Sequence, residues 1–166
     1  MPLKSPRDLF IYDLSSIHSA EQLILQQISQ MEQMCQNSQV KQLLSHHLTE
    51  TQQQVTRVQE CFRLMGIQPM NVTSYAVDCM RQDTQEFIRQ QPSPELIDLF
   101  CLEAVDKTKH FEIASYGGLI EKARSMGETQ VVSLLEDTLR EEEHTAQQVE
   151  QLSRQLGSQV IQRMQP

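Results

Sequence analysis

Apolar residues recur along this chain at alternating steps of four and three. The first series runs Phe10, Leu14, Ile17, Ile24, Ile28, Met31 and Cys35. That is the period of a helix burying one face against its neighbours. Ser5 reads as its N-cap, with Pro6 at the first helical position and Asp8 closing the cap, and the helix should run to about Cys35. "QNSQ" interrupts the pattern. A second series, Val40, Leu44, His47, Thr51, Gln54, Val58, Cys61 and Met65, predicts a helix from Val40 to Met65 stopped by Gly66.

"NVTS" then introduces a shorter, less regular helix from about Thr73 to Gln90, and "SPE" opens a third long helix reaching about Met126 before Gly127. Its seam is Leu102, Val105, Lys109, Glu112, Tyr116, Leu119, Ala123 and Met126. The fourth long helix spans roughly Glu128 to Leu156 with Gly157 as its stop, on the seam Val131, Leu135, Thr138, Glu142, Thr145, Val149, Leu152 and Leu156. The glutamine-rich residues from about 158 read as a short flexible tail or a frayed extension of that helix. Nothing reads as a strand. The expected architecture is all-α: one domain over 1–166, an antiparallel four-helix bundle with one extra shorter helix between the second and third long helices.

The first seam has a gap. Ile17 and Ile24 are seven apart, and the missing position is Glu21. Each long helix repeats the anomaly near mid-length, with Glu50 beside Thr51, then Glu112, then Glu142. Glu21 and Glu50 are 29 residues apart and Glu112 and Glu142 are 30 apart, roughly symmetric about their turns. Two such hairpins packed together would bring all four carboxylates to one level. Burying them needs counter-charge. Two divalent cations would balance four glutamates, and oxygen ligands with some imidazole suit iron or manganese.

Each residue also has a plainer reading. A single seam glutamate is usually a snorkelling side chain at the solvent edge; four at matched levels are harder to dismiss. His47, one turn before Glu50, is a candidate ligand or a hydrogen-bonded core histidine. His110 lies off the Glu112 seam and would sit beside the ligands or at an interface. Glu141-x-x-His144 has ligand spacing but is rotated off the Glu142 seam, as expected of a solvated face. Tyr116 reads as a core tyrosine bonding a carboxylate.

A net charge of −8 with no Lys/Arg cluster argues against nucleic-acid binding. No apolar run approaches about 18 residues, so no membrane span is expected. The N-terminus lacks the apolar core of a signal peptide, and a cytoplasmic location is expected. Cys35, Cys61, Cys79 and Cys101 form no CxxC, which suits reduced thiols better than a zinc site.

"LFIYDLSSIHSAEQL", "HHLTETQQQVTRVQECF", "KHFEIASYGGLIEKA" and "LLEDTLREEEHTAQQV", with "VDCM" in the short helix, resemble the YciE/YciF-like bacterial stress proteins of the ferritin-like superfamily. The resemblance implies a rubrerythrin-like bundle, dimeric, with a di-iron carboxylate centre, but no particular reaction. The family's carboxylates match Glu21, Glu50, Glu112 and Glu142, and His47 and Gln54 also match. Lys109 stands where the family has a glutamate, and Ala146 where it often has an aspartate. The ExxH pairs of other di-iron proteins are missing, since Gln53 and Thr145 occupy those positions.

Two functional expectations follow. One is a stress-associated metal protein holding one or two iron or manganese ions per chain, with oxidative or peroxide-handling chemistry. The other is a non-enzymatic dimeric bundle acting through protein partners. There Lys109 replaces a cation by pairing with Glu112 or Glu21, and no metal is bound. Lys109 could also leave a single-metal site, or snorkel outwards. Iron storage in a cage is disfavoured by the missing ExxH pair.

Overall fold

The computed structural model describes residues 3–164 and consists of five helices, with no strand among the described residues. They are α1 (Pro6–Met34), α2 (Ser38–Met65), α3 (Tyr75–Arg89), α4 (Pro94–Ser125) and α5 (Thr129–Met164). No helix among them is long and apolar enough to cross a membrane.

Local chemistry sets most boundaries. The Ser5 hydroxyl accepts from the Asp8 amide at 3.1 Å, and the Asp8 carboxylate accepts from the Ser5 amide at 2.9 Å, a reciprocal capping box. Asn37 accepts from the amides of Gln39 and Val40, which starts α2 two residues before Val40. Gly66 and Gly127 both take positive φ, at +62° and +75°, and end α2 and α4 as expected. The serines before α3 and α4, Ser74 and Ser93, make no side-chain capping bond.

The fourth long helix does not stop at Gly157. α5 continues to Met164, so the expected stop is corrected, and the described residues from 158 onward extend the helix. Gly157 keeps a negative φ, and the seam carries on from Leu156 to the half-buried Val160. Both share a crevice with Glu95, Asp98 and Leu99 near the start of α4. Tertiary contact holds the extra turns where glycine propensity alone would favour a stop.

α1 packs on α2 and α4 on α5, and the two hairpins meet through α1–α4 and α2–α5. Asp98, near the start of α4, accepts from the amides of Gln36 and Asn37 at 2.8 and 3.1 Å in the α1–α2 turn. Arg7, near the start of α1, pairs with Glu128 just before α5. Every packed pair of long helices is therefore antiparallel, and the chain must return along the bundle between α2 and α4. The segment 66–93 does this over α1. Met70 bonds Ser15, Ser74 bonds Ser19 and Thr84 bonds Gln27, three ties rising along α1 in step with the chain. α3 lies at the edge of the core, where it buries Val77 and Thr84 and packs the half-buried Met80.

The four seams form the core. Every seam position read from the pattern is buried except Met126, which is half-buried beside the α4–α5 turn. Apolar layers fill both ends, and at mid-height polar side chains take their place.

Candidate metal centre

Six side chains meet in the middle of the bundle: Glu21 from α1, His47 from α2, Lys109, Glu112 and Tyr116 from α4, and Glu142 from α5. All are at most 1% exposed. Lys109, Glu112 and Tyr116 follow one another at helical steps of three and four, so one stripe of α4 delivers all three.

The lysine ammonium lies 2.7 Å from Glu112 Oε2 and also bonds Glu142 Oε2. The Tyr116 hydroxyl donates to Glu21 Oε1. His47, Glu112 and Glu142 each offer a ligand atom, and the three atoms lie within 4.8 Å of one another.

Burial and charge tune each group. Burial, reinforced by the neighbouring Glu142, raises Glu21 to about 7, although Lys109 and the Tyr116 bond pull the other way. The same burial and the same neighbour hold Glu112 well above the carboxylate range. Burial opposes the charge on Lys109, but Glu112, Glu142 and Glu21 outweigh it and raise its pKa. His47 is pushed well below its ordinary value by burial and then by Lys109, so it is neutral at physiological pH, the form that binds metals. Burial and Glu21 keep Tyr116 protonated as a donor.

Several buried polar atoms in this layer have no hydrogen-bond partner: Glu21 Oε2, both carboxylate oxygens of Glu112, Glu142 Oε1, Thr51 Oγ1 and both ring nitrogens of His47. Such orphans each cost about 1–3 kcal/mol and are uncommon without a reason. A neutral imidazole and two carboxylates with free lone pairs at one point suit a divalent cation of the iron or manganese type. The donors present fit a metal ion.

Three of the sequence candidates fall outside this group. Glu50 does not join the other carboxylates. It is half-buried, accepts from the Thr145 hydroxyl at 2.9 Å and lies 3.2 Å from His46 Nε2. The α2 seam passes through His47 and Thr51, and Glu50 is turned about 100° from Thr51. The expected ring of four glutamates is therefore three glutamates and a histidine. Gln54 is buried but donates to Glu141, which also forms a bidentate pair with Arg57 at 2.6 Å. His110 is exposed and bonds the Asp106 carbonyl on the outer face of α4. His144 is also exposed, in keeping with a solvated face, whereas Glu141 is half-buried in its pair with Arg57.

Lys109 does not snorkel: it is fully buried, and its partners are Glu112 and Glu142 rather than Glu21. The bidentate Arg57–Glu141 pair beside the site was not singled out in the sequence, where neither residue lies on a seam.

The fold and this layer define a class: an antiparallel four-helix bundle with a buried His/Glu/Glu group that could hold a metal ion. The chain belongs to the family described as Domain of unknown function (DUF892), whose model matches residues 5–162. It is similar to Protein YciF of Escherichia coli (strain K12), 29% identical over 146 residues covering 87% of this chain and 88% of that protein. The crystal structure of the E. coli stress protein YciF superposes with a TM-score of 0.89 at 27% identity, covering 94% of this chain and 99% of that one. YcfI from Rhodopseudomonas palustris matches with a TM-score of 0.85 at 28% identity, over 89% of this chain and 94% of that one. The YciF-like resemblance and the bundle expected from the sequence are both borne out.

Proposed function

We propose that this protein binds a divalent metal ion, iron or manganese, through His47, Glu112 and Glu142 with Glu21 alongside. Its role is in stress protection, as the description of YciF as a stress protein suggests. The observation that carries this reading is the convergence of unpartnered, fully buried donor atoms from α2, α4 and α5. When bound, such an ion supplies one-electron chemistry towards oxygen or peroxide. The protein's own contribution is to keep His47 neutral, hold Glu21 through the Tyr116 hydroxyl, and line the His47 side with Ile24, Ile28, Met31 and Val105, which exclude water.

Untagged protein purified without chelator should carry about one equivalent of iron or manganese per chain, and chelation should lower its Tm. Substoichiometric metal with an unchanged Tm would overturn the reading.

Lys109 favours a second reading. Its ammonium already forms ion pairs with two of the three buried carboxylates, so protons on Glu21 and Glu112 could complete a metal-free network that holds helix register. The bundle would then act by binding a protein partner. In that case Lys109→Met is tolerated only where the carboxylates can take up protons, and chelator leaves Tm unchanged. The homodimer and cytoplasmic location belong to the same proposal. Sedimentation equilibrium should give twice the chain mass of 19.2 kDa.

A further inference from the structure

We infer that Lys109 fills one of two cation positions in the core, so that the site takes a single metal ion rather than a pair; this rests on the metal-binding reading above. Glu112 and Glu142 each direct Oε2 to the Lys109 ammonium and leave Oε1 without a hydrogen-bond partner. Both carboxylates therefore face an ammonium with one oxygen and have the other free. That is how a carboxylate spans two cations, with one of the cations supplied by the chain itself.

Charge leads to the same number. Glu21, Glu112 and Glu142 bring three negative charges into a layer at most 1% exposed, and Lys109 brings one positive charge. The neighbouring charges are spoken for, Glu141 by Arg57, while Glu50 lies at the half-buried edge with His46. Two negative charges remain when all three carboxylates are ionised, and one divalent ion cancels them. Two divalent ions would leave an excess of two positive charges in a medium that screens them poorly. The donors agree, since the described site contains one histidine and, on each glutamate, one oxygen outside the pairs with Lys109 and the Tyr116 bond. A dinuclear centre would have to expel an ammonium held by two carboxylates.

The test is stoichiometry. Chelator-stripped protein titrated with Mn(II) and assayed by equilibrium dialysis should bind one ion per chain, with the six-line EPR signal of an isolated Mn(II) ion. Lys109→Glu replaces the ammonium with a fourth carboxylate and should bind two ions that give an exchange-coupled signal. Two ions or an exchange-coupled signal in the parent would overturn the inference about Lys109 while leaving metal binding intact. One ion in both proteins would also overturn it. No ion in the parent and two in Lys109→Glu would refute metal binding by this chain but support Lys109 as the occupant of a cation position. If the parent binds none and Lys109→Glu binds none, or fails to fold with Mn(II) present, both readings fall. The parent EPR spectrum decides the case in which it binds metal and the variant does not fold.

Discussion

Burial and the Glu142 charge push Glu21 up from its ordinary 4.5 to about 7. Between those values the folded metal-free chain keeps a proton that the unfolded chain has released. Stability from this group is therefore greatest below about pH 4.5 and falls as pH rises through about 7. Glu112, raised for the same reasons, acts with the same sign. In chelator, the urea midpoint of the parent relative to Glu21→Gln should decline across that window. Saturating Mn(II) should reverse the trend, because a metal takes the ionised carboxylates and the neutral imidazole. A relative midpoint that rises with pH in chelator would contradict a carboxyl buried as described.

At the scale of elements, two boundaries yield opposite expectations for the same kind of substitution. Gly157 lies within α5 with a negative φ and open space where a Cβ would go. Gly157→Ala should stabilise the protein by about 0.5–1 kcal/mol. Gly66 ends α2 with φ of +62°, so Gly66→Ala should destabilise it by more than that amount. Paired chemical denaturation curves check both, and a destabilising Gly157→Ala would mean that the helix stops there after all. Asp98 is the polar clasp between the hairpins, accepting two amides of the α1–α2 turn while 8% exposed. Asp98→Ala leaves both amides without that acceptor and should cost about 1–3 kcal/mol, measured by the same method.

The whole molecule divides into a bundle and the crossover that makes its topology possible. α1, α2, α4 and α5 share one continuous core, whereas α3 meets it at the edge through Val77, Met80 and Thr84 and is tied to α1 by the Gln27–Thr84 bond and to α4 by the stacked rings of Phe87 and Phe100. Few buried contacts imply a low local opening free energy. Native-state hydrogen exchange should show α3 amides exchanging well before those at the centres of α1 and α4. Equal protection across all five helices would mean that the crossover folds as part of the core. Metal added to the polar layer should slow exchange in the four bundle helices first, since α3 supplies no ligand.

The sequence by itself determined which face of each long helix is buried. A helix that packs along its length must repeat apolar contacts every three or four residues, and the pattern survives because it is local and redundant. Glu21, Glu112, Glu142, Lys109 and Tyr116 were legible for the same reason, as polar residues interrupting a stripe that otherwise had to be apolar. Periodicity names the face but not the neighbour it meets. Only the tertiary structure decided that α2 presents His47 in place of Glu50, because adjacent residues differ by a rotation fixed by all of that helix's contacts together. It also decided that Lys109 reaches across to Glu142 rather than to Glu21, and that α5 runs past Gly157 because α4 offers its last turns a crevice. Those choices depend on interhelical rotation and register, where side chains far apart in the chain must satisfy one another at once.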